Sequence, residues 1–283
     1  MKVISDIAKT RTYIRKVKRD GKTIGFVPTM GYLHEGHLSL IREARKNEDV
    51  VVISIFVNPT QFRPGEDYKR YPRDMERDKR LARGAGVDLI FTPTAAQMYS
   101  EGYHSYVNVE EITEPLCGRF RPGHFKGVAT VCCKLFNIVE PDVAYFGQKD
   151  AQQAIVIKRM VRDLNMGFVI KVLPIVREED GMAISSRNRY LSPKERMDAL
   201  CLYQSLEEAK RMITYGEGDP EKVIRRMRQI VAPKATKIDY ISIVDTEDLK
   251  EANELCGELL IALAAWIGKT RLIDNIVVRR KGC

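Results

Sequence analysis

The chain has 283 residues, 44% of them apolar and 30% charged, a balance that excludes a disordered polar chain and suits one large soluble domain or two smaller ones. No apolar run reaches the roughly 18–20 residues that a bilayer-spanning helix needs, and the longest, Leu259 to Ile267, is strand-sized. A formal charge of +9, from 47 basic and 38 acidic residues, suits either a nucleic-acid binder or an enzyme whose ligands are anions, and does not choose between them.

The opening stretch, MKVISDIAKTRTYIRKVKRDGK, has no apolar segment ahead of a small-residue cleavage site, so a cytoplasmic location is expected. Its basic residues from Lys9 to Lys22 read as the solvated face of a helix. KTIGFVPT (22–29) is a short strand ending in a turn. HLSLIREARKNE (37–48) has helical spacing of Leu38 and Ile41, and DVVVISIFVN (49–58) is a nearly continuous β-branched run. Such a run fits a strand covered on both faces of a parallel sheet. A charged helix (73–86) follows, closed by Gly84 and Gly86, then the strand VDLIFTP (87–93). Helix 128–139, strand 142–146, helix 150–164 and strand 168–176 continue the alternation, which predicts an α/β fold with a doubly wound, Rossmann-like parallel sheet.

Beyond Pro193 the texture changes to helical stretches at 191–213 and 220–231, then strand 237–245 and two strands around Gly268-Lys269. These predict a smaller C-terminal α+β domain. The division expected is a larger domain over 1–176 and a smaller domain over 177–283 that closes over the site. Six cysteines (Cys117, Cys132, Cys133, Cys201, Cys256, Cys283) show no C-x-x-C pairing, and a disulfide framework is not expected. The acidic residues near Asp74 and Asp78 read as a solvated helix face, and no metal ligand is assigned.

The first strand leads into Pro28-Thr29-Met30-Gly31-Tyr32-Leu33-His34-Glu35-Gly36-His37, and then a helix begins. Free N–H groups and the positive dipole end of a helix attract phosphate there. His34 and His37, with Gly36 leaving room between them, can face one anionic group and donate hydrogen bonds as charge grows on it. The second histidine comes three positions after the first, so the zinc-protease H-E-x-x-H is absent. A second strand-to-helix junction, FGQKD (146–150), offers Lys149 for phosphate charge and Asp150 for ribose hydroxyls or for capping the helix. AISSRNRYLSP (183–193) adds Ser185, Ser186 and Arg187, two hydroxyls and a fork of donors suited to a polyphosphate or to an ordinary helix entry.

In order and spacing, PTMGYLHEGHLSL, FVNPTQF (56–62), GRFRPGHFKGVATV (118–131), YFGQKDAQQ (145–153) and SSRNRYLS (185–192) closely resemble the pantoate–β-alanine ligase family. That family lies within the nucleotidylyltransferase-like superfamily, whose H-x-G-H signature His34-Glu35-Gly36-His37 matches. The resemblance implies ATP-dependent condensation of pantoate with β-alanine through an acyl-adenylate, in a homodimer using Mg²⁺, with no nucleic acid or membrane partner. Residue by residue, it implies ATP contacts at Met30 to His37, Gly147, Gln148, Lys149, Asp150, Val176 and Ile184 to Arg187. It places pantoate at Gln61, Gln153 and Met30, and β-alanine near Gln61. His37, His34, Lys149, Ser185 and Arg187 would carry the catalysis. Nucleotide transfer to a phosphate-bearing acceptor on the same fold, and nucleic-acid binding by a basic protein, remain the competing readings.

Overall fold

The computed structural model describes residues 1–280. In chain order its helices and strands are β1 (Lys2–Ile4), α1 (Ile7–Arg19), β2 (Ile24–Thr29), α2 (Glu35–Asn47), β3 (Val50–Ile55), α3 (Met75–Gly84), β4 (Leu89–Phe91), α4 (Ala95–Met98), α5 (Cys117–Phe120), α6 (His124–Val139) and β5 (Val143–Gly147). They continue with α7 (Ala151–Asp163), β6 (Val169–Leu173), α8 (Pro193–Asp198), α9 (Leu200–Thr214), α10 (Pro220–Val231), β7 (Lys237–Asp245), β8 (Gly257–Ile267) and β9 (Thr270–Arg280). The chain forms two compact units. The first holds Met1–Val109, Arg121–Gly147 and Val156–Pro174; the second holds Glu110–Phe120, Gln148–Ile155 and the described chain from Ile175 onward. Two segments inside the predicted 1–176 division, 110–120 and 148–155, group with the second unit.

The first unit is a six-stranded parallel sheet in the order β1-β4-β3-β2-β5-β6. From β2 the chain winds outward through β3 and β4, then returns to lay β5 on the other side of β2 and continues to β6. The winding reverses between β2 and β5, and ligands of such sheets bind beyond the carboxyl ends of the strands at that point. β3 is buried along nearly its whole length, because helices cover both faces; each fully buried Val or Ile contributes about 1.5–3 kcal/mol. Leu38, Ile41 and Ala44 of α2 pack with Val27, Val51 and Ile53 in this core. α1 turns Thr10, Ile14 and Val17 inward and keeps its basic residues exposed, as its pattern predicts. β1 is absent from the sequence-based expectation; three residues with an exposed Val3 give almost no periodic signal.

The second unit is a three-stranded antiparallel sheet in the order β7-β8-β9, covered by helices. Leu206, Ala209, Ile213, Val223, Met227 and Val231 of α9 and α10 pack with Ile261, Leu263 and Ala265 of β8. The predicted helical stretch 191–213 is two helices, broken at Ala199, whose backbone N–H caps α8. Ser192 opens α8 with a capping box to Glu195. Cys117, Cys132, Cys133 and Cys201 are free thiols, and burial pushes Cys132 and Cys201 up to about 12. Cys256 is disulfide-bonded; Cys283 lies outside the described residues.

Candidate active site

β2 ends at Thr29, whose hydroxyl donates to the Ser54 carbonyl of β3 (2.7 Å) and accepts from the Gly31 N–H (3.1 Å). The chain then turns sharply. Gly31 has φ +83°, and a Cβ there would sit 2.8 Å from the Ile55 methyl, so only glycine fits. Tyr32 follows with φ +51°, a conformation a bulky residue adopts only when held. What holds it is Asp78 on α3. Its two carboxylate oxygens accept the backbone N–H groups of Tyr32 and Leu33, both at 2.7 Å. Arg77 completes the clamp, donating to the Leu33 carbonyl (2.8 Å) with its guanidinium 4.9 Å from the centre of the Tyr32 ring.

Asp74 is exposed, as expected of a solvated helix face, and that expectation is corrected at Asp78. Asp74 caps α3 through the Arg77 N–H, and Asp78 is only 1% exposed. Burial pushes the Asp78 carboxyl above the ordinary aspartate range, against the opposing pull of the Leu33 and Tyr32 N–H groups and of Arg77. A carboxylate on an outward-looking charged helix gives no sequence signal of this role.

α2 begins at Glu35, two residues before the predicted start, because the His34 carbonyl already accepts from the N–H groups of His37 (2.8 Å) and Leu38 (3.0 Å). His34 is thus the N-cap, and His37 sits in the first turn with its Nδ1 3.4 Å from the His34 N–H. The two rings stack with centroids 4.0 Å apart and planes 29° apart. Both imidazoles stand at the positive end of the helix dipole, a place that attracts anions.

Next to this loop lies the NPTQF turn. Asn58, 1% exposed, organises it. Its Oδ1 accepts from the Thr60 N–H, the Thr60 hydroxyl and the Tyr99 hydroxyl, and its Nδ2 donates to Gln61 Oε1 (3.2 Å) and the Gly127 carbonyl (3.1 Å). Burial pushes the Tyr99 hydroxyl up to about 12, so it stays a donor. Gln61 Nε2 points at Met30 Sδ, 3.3 Å away. Behind it, the Gln61 carbonyl meets His124 Nδ1 (2.9 Å) and Arg121 (3.3 Å), and Arg121 forms a two-bond pair with Glu66. Asn58, Arg121 and His124 lie inside the quoted motifs, yet nothing in their spacing marks them as supports of Gln61.

In the second unit, Gln148–Asp150 form a single 3-10 turn leading into α7. Lys149 Nζ lies 3.8 Å from Asp150 Oδ1. The two glutamines of KDAQQ part company. Gln152 is buried and structural, accepting the Cys117 N–H and donating to the carbonyls of Ile112 and Pro115, while Gln153 is half-buried and takes no part in that lock. Val176 and Ile184 are brought together by a backbone bond of 3.1 Å beside the Arg177–Ala183 bridge. Ser185 caps the following 3-10 turn through the Arg187 N–H, and Ser186 is buried. Gly147 closes β5 in the first unit.

The family model described as pantoate–β-alanine ligase matches residues 2–277. The chain belongs to the pantoate–β-alanine ligase family. Among curated members of that family, the pantothenate synthetase of Moorella thermoacetica is 56% identical over 279 residues, covering 98% of this chain and 99% of its own length. That of Acetivibrio thermocellus is 57% identical with the same coverage. The crystal structure of pantothenate synthetase from Thermus thermophilus superposes with a TM-score of 0.93 at 44% identity, covering 98% of this chain and 99% of that one. The pantoate–β-alanine ligase from Francisella tularensis, complexed with beta-gamma ATP and β-alanine, does so with 0.82 at 35% identity, covering 98% and 97%. Both the parallel sheet and the small antiparallel sheet predicted from sequence are therefore those of this family.

Proposed function

We propose that this protein condenses (R)-pantoate with β-alanine to pantothenate at the expense of ATP, through a pantoyl-adenylate. One observation carries the placement of the chemistry. Met30, the residue that opens the H-x-G-H loop, is also the residue Gln61 touches (3.3 Å), so an anion site and an amide-lined acid site share a wall.

In the first half-reaction a pantoate carboxylate oxygen attacks the α-phosphorus, the bond to the β-phosphate oxygen breaks, and pyrophosphate leaves. His34 and His37 donate to phosphate oxygens as charge builds, at the positive end of the α2 dipole. Lys149, Ser185 and Arg187 are assigned to the phosphates, with Gly147, Gln148, Ile184 and Ser186 lining the nucleotide, Asp150 on ribose and Val176 at adenine. The half-buried, charged or polar side chains of Lys149, Ser185 and Arg187 suit that work. Gln61, Gln153 and Met30 are assigned to pantoate, whose hydroxyls and carboxylate amides can match. In the second half-reaction the neutral amine of β-alanine, near Gln61, attacks the acyl carbon, and the acyl–phosphate C–O bond breaks to release AMP. Catalysis rests on positioning and charge neutralisation, with no covalent enzyme intermediate.

Among the described residues there is no group of three or more His, Cys, Asp or Glu able to hold a metal. Mg²⁺ is taken to arrive on ATP, since it keeps several waters and is held mainly by substrate phosphates. When bound it would neutralise charge on those phosphates; no protein ligand is assigned. A homodimer located in the cytoplasm completes the proposal on the strength of the family resemblance. No described helix is long and apolar enough to cross a membrane.

The test is to follow pyrophosphate and AMP with ATP and pantoate, adding β-alanine last. Pantoate alone should yield pyrophosphate and enzyme-held adenylate, and β-alanine should then release AMP with pantothenate. Pyrophosphate release that needs a phosphorylated acceptor instead would favour simple nucleotide transfer.

A further inference from the structure

Strand β9 carries two adjacent buried polar residues, Asp274 (4% exposed) and Asn275 (3% exposed), paired in register with Leu263 and Ala262 of β8. Alternate residues of a strand face opposite sides, so each must find partners on its own face or lose free energy on burial. Asp274 does so with Arg177, which binds both its oxygens (2.7 and 2.9 Å) and also donates to the carbonyls of Gly181 and Asn275. Asn275 turns elsewhere. Its Nδ2 donates to the backbone carbonyls of both Gln148 and Lys149, each at 3.0 Å, and its Oδ1 accepts from Gln148 Nε2 at 3.2 Å.

Those three bonds span the 3-10 turn from which Lys149 projects. Asparagine is poorly suited to a strand interior, and an apolar side chain would fill the place without needing partners. What Asn275 provides is two donors aimed at two successive carbonyls. Together they fix the peptide planes on either side of the Lys149 Cα and therefore the direction in which its side chain leaves the turn. We infer that Asn275 is a positioning residue for the ATP-dependent half-reaction, acting through Lys149. The inference rests on the assignment of Lys149 to phosphate above. It assigns a role in the reaction to the C-terminal strand, far in sequence from every motif of the site.

The test is a double-mutant cycle on pantoate-dependent pyrophosphate release, with wild type, Asn275→Ala, Lys149→Ala and the double variant, folding being checked by circular dichroism. Asn275→Ala should raise KM for ATP and slow adenylation by about ten- to hundredfold in combined effect, the scale of misplacing one reacting group by about an ångström. KM for β-alanine should stay unchanged. In the Lys149→Ala background the same substitution should cost less than about twofold more, since residues acting as one unit are non-additive. If Asn275→Ala does not fold, Asn275→Asp, of equal size but without the two donors, is read the same way. A loss that adds in full to that of Lys149→Ala, or wild-type kinetics in Asn275→Ala, overturns the inference. Wild-type enzyme with no pantoate-dependent pyrophosphate release would instead overturn the assigned function.

Discussion

Asp78 Oδ2 lies 2.7 Å from the backbone nitrogen of Tyr32, so a buried carboxylate holds a bulky residue at φ +51° immediately before the histidine loop. The other oxygen holds Leu33 in the same way. This pair explains how the chain reverses from β2 into α2 with His34 at the N-cap and His37 on the first helical turn, and it makes the loop's shape depend on a residue of α3.

Asp78→Asn keeps the volume but can accept only one of the two N–H groups. The other is left facing an amide NH₂, at a cost of about 1–3 kcal/mol for an unsatisfied buried group. Urea unfolding should show that loss, and adenylation should slow further than the stability change explains. The native carboxyl titrates above the ordinary aspartate range, so the native state binds the proton more readily than the unfolded chain. Its contribution to stability is therefore full below the unfolded pKa and lost as pH rises through the native one. Asp78→Asn should lack that decline, and equal pH profiles for the two proteins would count against it.

Glu66 behaves in the opposite sense. Burial acts to raise its carboxyl, but the Arg121 hydrogen bonds and charge outweigh burial and hold it below the ordinary glutamate range. A depressed native pKa gives stability that is present above the unfolded pKa, about 4.3, and is lost as pH falls through the native value. Thermal melts of wild type should lose stability over that acidic window, and Glu66→Gln should lose less there. Because Arg121 also supports the Gln61 carbonyl, the same variant should raise KM for pantoate at neutral pH.

Gly127, on α6, faces the NPTQF turn at close range. A Cβ there would come within 2.4 Å of the Thr60 carbonyl oxygen and 2.7 Å of the Gln61 nitrogen. Neither is a flexible side-chain end, so the turn itself must move. Gly127→Ala should destabilise by about 1–3 kcal/mol as overpacking and should raise KM for pantoate more than KM for ATP. Steady-state kinetics with each substrate varied in turn decides it; an equal rise in both would place the damage elsewhere.

His37 sits in the first turn of α2 beside His34. Its loss should cost the first half-reaction about 2.7–4 kcal/mol, or two to three orders of magnitude, as for one preorganised donor. A His37→Ala enzyme that forms adenylate at near wild-type rate in a single-turnover experiment would falsify its role.

Runs of apolar residues and the turns between them made the parallel sheet, the change to an α+β C-terminal part and the H-x-G-H loop legible in the sequence. These are local features: a β-branched run such as Val50–Ile55 or two histidines three apart carries its own periodicity and chemistry. Other features have no local signal. Asp78 and Tyr32 are 46 residues apart, Asn275 and Gln148 are 127 apart, and nothing in the composition around any of them distinguishes a buried carboxylate or amide from a solvated one. Gln152 and Gln153 are adjacent and chemically identical, yet one locks the Glu110–Phe120 segment and the other does not. The side chains proposed to meet substrate lie in motifs that are local in the sequence. The carboxylate, amides and arginines that hold them in place were decided by long-range burial, because a buried polar group is defined by the partner it finds across the fold.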